Sequence, residues 1–330
     1  VTVAELLARA ALRRPDAEAV VDGPRRLTYA ELDRRATAAA RGLRRLGVAP
    51  GDRVLLVLRN RLEHVLAYWA LQKLGGVAVP VNFRSAANEL RYLLDDSGAR
   101  LAVFEASTSG PLLEATRGTA TELVYVGDGP PTGCTPFAAL LEAGGESGGG
   151  PAGGVEATRS LQAAADSKRP DGAQPQRGSA RMPRGRLDPS RRPPAALAPG
   201  LEPPGENDLS LILYTSGTTG RPKGVPRTQK NHYAGALAHV IQCGYTWGER
   251  TLGVMPLYHT MGIHALTSMT AVNGCFVCQP DWSSADALRL IAGERLTALY
   301  LIPTLFWELV HAPELARTDV SSVRKLAYAG

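Results

Sequence analysis

Between residues 53 and 126, four short stretches are apolar at almost every position: Arg53–Leu58, Val77–Val81, Leu101–Phe104 and Glu122–Val126. A strand with one face in water alternates polar and apolar residues, so an unbroken apolar run belongs to a strand covered on both faces. That cover has to come from helices, and the intervening segments supply them. Thr28 and Glu31 form a capping-box pattern ahead of Leu32, Ala36, Ala39, Leu43 and Leu46, and Gly47 marks the stop. A second helix runs from about Arg61, with Leu62, Leu66 and Trp69 on one face, to the Gly75–Gly76 pair, and a third covers Asn88–Leu94. Upstream, Thr2 and Glu5 repeat the capping pattern before Leu6, Leu7 and Ala10, and Ala19–Val21 is a short strand. Strands and helices in alternation predict an α/β fold of mostly parallel sheets covered by helices. Aromatic residues make up only 6% of the chain, so its core has to rest on Leu, Val and Ala.

The alternation stops at residue 144 and resumes at 208. Residues 144–207 contain Gly144–Gly145, Gly148–Gly150, Pro193–Pro194 and Pro203–Pro204, with many Ala, Ser and Arg and almost no Ile, Val or Phe. Such a stretch cannot bury enough apolar surface to offset the entropy of ordering it. Two readings fit it: a disordered, dispensable insert, or an out-of-frame translation of a GC-rich gene. The chain therefore divides into 1–143, the first part of one domain; 144–207, the insert; and 208–330, the continuation of that domain. The insert also explains the formal charge of +6, because residues 159–192 hold nine basic and three acidic residues and so carry the whole excess. A nucleic-acid-binding domain concentrates its basic residues on a folded face. Here the folded parts are neutral overall, and no nucleic-acid partner is expected.

Beyond 208 the pattern predicts a strand at Leu209–Tyr214, a polar Gly loop, and a helix near Gln229–Ile241. Strands follow at Thr251–Met255, Gly274–Cys278, Ala298–Ile302 and Lys325–Tyr328, with helices near Ile263–Ala271, at Ser284–Ala292 and at Thr304–Val310. Cys134, Cys243, Cys275 and Cys278 are too few for a secreted disulfide framework. The CxxC of Cys275 and Cys278 lies in an apolar run and reads as buried strand, not as a metal or redox site. Val1–Ala11 is interrupted by Glu5 and Arg9 and has no basic leader, and no stretch of ~18 uncharged apolar residues occurs. A soluble cytoplasmic protein without a signal peptide or membrane span is expected.

The segment Tyr214–Thr–Ser–Gly–Thr–Thr–Gly–Arg–Pro–Lys–Gly224 follows an apolar strand. Its three glycines allow tight turns that aim backbone N–H groups inward, a nest suited to phosphate oxygens. Thr215, Ser216, Thr218 and Thr219 add hydroxyls able to bond phosphate or a Mg²⁺ shell, and Lys223 adds a positive charge. The common P-loop needs Gly-Lys-Ser/Thr at a helix start; here Pro222 precedes Lys223 and Gly224 follows it.

This loop resembles the signature of the adenylate-forming superfamily: acyl- and aryl-CoA ligases, luciferases and nonribosomal adenylation domains. Leu27–Leu32, Leu71–Asn82 and Met255–His259 resemble further blocks of that family, so the resemblance covers residues 1–127 and 208–330. It implies the large N-terminal domain of the adenylate-forming fold, incomplete at its C-terminal end. It implies ATP, Mg²⁺ and coenzyme A as reactants, and a small carboxylic acid, aryl or fatty, as the molecule activated. By resemblance Thr215, Ser216, Gly217, Thr218, Thr219, Gly220 and Lys223 hold the phosphates, Lys223 and His259 act in catalysis, and Thr215 joins the Mg²⁺ shell. His259, Ala329 and Gly330 line the acyl pocket, and His264 is structural. The later family blocks follow Gly330, so this chain alone is expected to be inactive. Pro256–His259, Leu299–Thr304 and Ala327–Gly330 look closest to chlorobenzoate and benzoate ligases. The alternatives are a nonribosomal-type domain loading a carrier protein and an inactive nucleotide-binding remnant.

Overall fold

The computed structural model describes residues 1–142, 201–215 and 221–329. The described residues fall in one unit, and the expectations for 144–200 lie outside them. In chain order the first part contains α1 (Val3–Arg13), β1 (Glu18–Asp22), β2 (Arg25–Thr28), α2 (Tyr29–Arg45), β3 (Arg53–Val57), α3 (Leu62–Leu74) and β4 (Val77–Pro80). It continues with α4 (Ala87–Ser97), β5 (Leu101–Glu105), α5 (Ser109–Ala115), β6 (Glu122–Val126), β7 (Thr135–Pro136) and α6 (Phe137–Glu142). The second part contains β8 (Leu209–Thr215), β9 (Lys223–Thr228), α7 (Gln229–Gln242), β10 (Arg250–Gly253), α8 (Thr260–Ala271) and β11 (Cys275–Cys278). It ends with α9 (Ser284–Gly293), β12 (Ala298–Leu301), α10 (Pro303–Val310) and β13 (Lys325–Tyr328).

Two sheets form among the described residues. One has the order β13-β12-β10-β11-β1-β2 and the other β7-β6-β5-β3-β4-β8-β9. Each is parallel except for one hairpin at its edge, β1 with β2 and β8 with β9. Each sheet draws strands from both sides of the 143–200 segment. The apolar runs are two-faced, as expected. Val54 and Leu56 of β3 point into the layer between the sheets, while Leu55 and Val57 point outward under α4 and α5. On the other sheet, Val277 and Cys275 face α9 while Phe276 and Cys278 join the central layer. Cys275 and Cys278 thus sit on opposite faces of one buried strand; burial pushes the Cys275 thiol up to about 12 and raises that of Cys278 as well.

Helix α3 lies in the central layer. Its residues from His64 to Leu74 are all buried, so the expected single apolar face at Leu62, Leu66 and Trp69 is corrected to burial on every side. Its buried lysine and glutamine are accordingly paired, while Trp69 Nε1 has no hydrogen-bond partner among the described residues. Lys73 Nζ meets Asp33 Oδ1 of α2 at 2.7 Å, and Gln72 donates to Ser210 O of β8 at 3.1 Å and accepts from Gln229 of α7 at 3.1 Å. Gly75 ends the helix at φ 76°, a left-handed cap that glycine adopts without strain.

Three further expectations need correction. The Thr28–Glu31 capping box forms in both directions, but Thr2 makes no side-chain cap; the N2 amide of α1, Ala4 N, donates to Gln229 Oε1 of α7 instead. The chain does not pass from the Gly loop straight into a helix, because Lys223–Thr228 forms strand β9. The insert boundary at 207 is also too late: Leu201 is buried in the central core, and Glu206 pairs with the Val1 amino group at 2.8 Å.

Candidate active site

Strand β8 ends at Thr215, which lies across the ladder from Lys223, the first residue of β9. The predicted phosphate loop joins these two strand ends. Ser216, Gly217, Thr218, Thr219 and Gly220 lie outside the described residues, as does Gly330. The hairpin is pinned to α4: Tyr214 Oη donates to Asp96 Oδ2 at 2.7 Å, and Tyr92 Oη donates to Pro222 O at 2.9 Å. Beside it is a cavity of about 180 Å³ whose walls include Asn82, Ser85, Glu89, Thr215, Tyr258 and His259. Ser85 is only 4% exposed, and its Oγ has no hydrogen-bond partner.

His259 occupies the N-cap position of α8 and makes no capping bond. It is exposed at the edge of the small cavity and also of a second one, of about 680 Å³. Phe83, Met255, Trp282, Tyr300 and Leu305 give the larger cavity an apolar, aromatic wall, and Ala329 also lines it. Tyr258 and His259 are shared by both cavities, so an apolar chamber meets a polar one at these two rings. The His259 ring lies 4.5 Å from that of Tyr258, which meets Phe83 edge-on at 6.2 Å. Desolvation holds the His259 imidazole below its ordinary value.

A buried asparagine fixes the segment leading to His259. Asn60 Nδ2 donates to Gly253 O at 2.9 Å and Met255 O at 2.8 Å, and its Oδ1 accepts from Leu257 N at 3.0 Å. Gly262 lets α8 approach the same segment: a Cβ there would stand 2.2 Å from Pro256 O. Behind the helix, Arg227 Nη2 donates to Thr260 Oγ1 at 2.9 Å, and His264 lies beside the same guanidinium.

The structure therefore gathers Thr215, His259 and Ala329 around two adjoining cavities, with the exposed Lys223 across the ladder from Thr215 and lining neither. Sequence reasoning missed Asn60, Asn82, Ser85, Glu89 and Tyr258. Of these, Tyr258 and Asn82 had a signal, Tyr258 as the neighbour of His259 in the Met255–His259 block and Asn82 as the last residue of the Leu71–Asn82 block. Among the described residues no group of three His, Cys, Asp or Glu could hold a metal.

A model of the AMP-binding enzyme family matches residues 7–330. The chain belongs to that family. A feruloyl-CoA synthase of Amycolatopsis sp is 29% identical over 323 residues, covering 98% of this chain and 53% of that protein. A 4-chlorobenzoate–CoA ligase of Arthrobacter sp is 26% identical over 334 residues, covering 100% and 53%. The chain thus spans about half the length of the curated relatives it matches. Among solved structures, the inhibitor-bound N-terminal domain of FACL13 from Mycobacterium tuberculosis aligns with a TM-score of 0.72 at 25% identity, covering 100% of this chain and 70% of that one. The anthranilate CoA ligase AuaEII in complex with anthranoyl-AMP aligns with a TM-score of 0.79, covering 100% and 55%; at 23% identity it speaks for the fold alone. No helix among the described residues is long and apolar enough to cross a membrane.

Proposed function

We propose that this chain takes part in the ATP-dependent activation of a small carboxylic acid to an acyl-adenylate, followed by transfer to the thiol of coenzyme A. The observation behind this reading is the meeting of an apolar chamber and a phosphate-side chamber at Tyr258 and His259. An acid seated against Phe83, Met255 and Trp282 presents its carboxylate at that junction, with the phosphates of ATP along the hairpin between Thr215 and Lys223. A carboxylate oxygen bonds to the α-phosphorus, and the bond to the pyrophosphate oxygen breaks. The thiol then loses its proton to solvent, its sulfur bonds to the acyl carbon, and the bond from that carbon to the phosphate oxygen breaks, releasing AMP. The first nucleophile is already an anion, so no general base is needed and the residues act by positioning and charge neutralisation. His259 fits this role, since a ring N–H can donate a hydrogen bond to the carboxylate.

Mg²⁺ fits the donor set of the small cavity. Thr215 and Glu89 present hard oxygen donors there, beside the unpartnered Ser85 hydroxyl, and such donors suit a hydrated Mg²⁺. When bound, the ion would neutralise phosphate charge. Cytoplasmic location accords with the reactants ATP and coenzyme A.

The test is acid-dependent exchange of labelled pyrophosphate into ATP, run on the complete gene product with benzoates and fatty acids. Exchange is expected with at least one acid. Lys223→Ala and Gly217→Val are expected to slow it by about 10²–10³-fold, the effect of losing one oriented charge-stabilising donor. No exchange with any acid, or full rates in both variants, would overturn the assignment.

A further inference from the structure

Arg227 is half-buried on β9. Among the described residues it has no carboxylate partner: its guanidinium donates to Thr260 Oγ1 at 2.9 Å and to His264 Nε2 at 3.4 Å. A guanidinium can only donate, so His264 Nε2 is the acceptor and its proton sits on Nδ1. His264 and His232 lie near this cation, and His239 lies beside His264, without balancing it. Burial holds His264 and His239 down to about 4 and His232 to about 3, and Arg227 itself below its ordinary value. His232 is already engaged, with Ser210 Oγ at 2.7 Å and Tyr68 Oη at 3.1 Å. Several other half-buried or buried basic residues are neutralised by carboxylates, while Arg53 donates to the carbonyls of Ser97, Gly51 and Gly98. Arg59 and Arg61 pair with Glu105, Arg250 with Glu18 and Glu294, and Lys73 with Asp33.

This uncompensated charge stands directly behind the large cavity. Thr260 and Tyr300 line that cavity and not the small one. Thr260 receives Arg227 on its oxygen, which leaves its own O–H to donate elsewhere. The Tyr300 ring lies 4.5 Å from that of His239, tilted by 43°, His239 lies 5.6 Å from His264, and Tyr300 Oη has no hydrogen-bond partner among the described residues. One wall of an otherwise apolar chamber therefore offers two hydroxyl donors backed by a full positive charge. A hydrocarbon substituent against that wall would leave those donors unmet, whereas an anion would satisfy them. The other charged lining residues do not duplicate the arrangement: Asp281 is paired with Arg59 at 2.7 Å, and Arg84 is exposed and lies over the Phe83 ring.

We propose that the wall formed by Thr260 and Tyr300, charged from behind by Arg227, recognises a second anionic group on the acid, so that dicarboxylic acids are the preferred class. This rests on the acid-activating reading of the large cavity and narrows it. Thr260 and Tyr300 are the touching residues, and Arg227 is a positioning residue.

The test is calorimetric titration of the chain with two pairs matched in shape, terephthalate against 4-methylbenzoate and pimelate against octanoate. The diacid of each pair is expected to bind about tenfold tighter or better, the scale of one charge-assisted hydrogen bond. In Arg227→Met that ratio falls to about one, and in Arg227→Lys part of it returns; a circular-dichroism melt checks that each variant is folded. If Arg227→Met does not fold, Thr260→Val supplies the same comparison by removing the touching hydroxyl. Equal binding of diacid and monoacid overturns the inference and leaves the acid-binding reading standing. So does a preference that survives in Arg227→Met or Thr260→Val, or one that disappears in Arg84→Met instead. Failure of all four acids to bind overturns the acid-binding reading itself, and this inference with it.

Discussion

Replacing Asn60 by Ala tests whether the segment before His259 is held by one side chain. Asn60 is 4% exposed and serves three backbone groups, Gly253 O, Met255 O and Leu257 N. Gly253 O keeps a second donor, Gln279 N at 3.2 Å, so its loss is partial. Met255 O and Leu257 N belong to buried residues and are left without that partner. A buried backbone group stripped of its hydrogen bond costs about 1–3 kcal/mol. Two of them, with little gain from the shorter side chain, give a loss of about 2–5 kcal/mol. Asn60→Asp is expected to be no better, because a carboxylate cannot donate to the two carbonyls and is repelled by them. Urea unfolding followed by circular dichroism measures the effect, with the midpoint falling and the slope unchanged. A loss below about 0.5 kcal/mol in Asn60→Ala would refute the argument, since that is the range of an ordinary surface substitution.

Two further outcomes can be checked on the same protein. Asp33→Ala strands the 2%-exposed Lys73 without its partner and is expected to cost about 3–5 kcal/mol; the double variant Asp33→Ala, Lys73→Met recovers most of that in the same urea assay. Glu249 is fully buried and ties Thr246, Thr297 and Lys325 together, and these partners hold its carboxyl down to about 2. A depressed carboxyl gives stability that is full above its unfolded value near 4.5 and is lost as pH falls towards 2. On the order of 1–3 kcal/mol is expected to disappear across that window, and Glu249→Gln flattens this part of the stability–pH curve. A curve of unchanged slope in the variant would assign the acid sensitivity to other groups.

Fold class was legible because it rests on strands whose patterns survive any tertiary context, such as Arg53–Val57 and Cys275–Cys278. The misses have identifiable physical causes. Strand β9 contains Pro226 and is mostly exposed, and an edge strand tolerates both where a central one would not. Helix α3 shows no clear periodicity because water touches neither of its sides. Thr2 matches the capping pattern as well as Thr28 does, yet Gln229 reaches Ala4 N first, and Glu5 turns to Arg9. At the candidate site, His259 and Thr215, which line the cavities, stand in long, ordered motifs. Ser85 and Glu89 were not legible, since one lies just before and the other in the first turn of a helix that reads like any surface helix. Asn60 and Arg227 act across more than thirty residues of sequence, a distance no local pattern spans.

Helix α3 has a consequence for how the polypeptide is made. Its sides are covered partly by β8, α7 and α8, which are synthesised more than a hundred residues later. Until they emerge from the ribosome, the nascent N-terminal part exposes Trp69, Tyr68 and the inward face of β4. Neither sheet can close either, since each waits for strands beyond residue 208. Closure of this unit thus waits for synthesis beyond residue 208, and until then the nascent chain is a client for chaperones that hold apolar surface. Two polypeptides cut between residues 142 and 201 are each expected to aggregate when made alone and to yield soluble protein when made together, because only the pair completes the central layer.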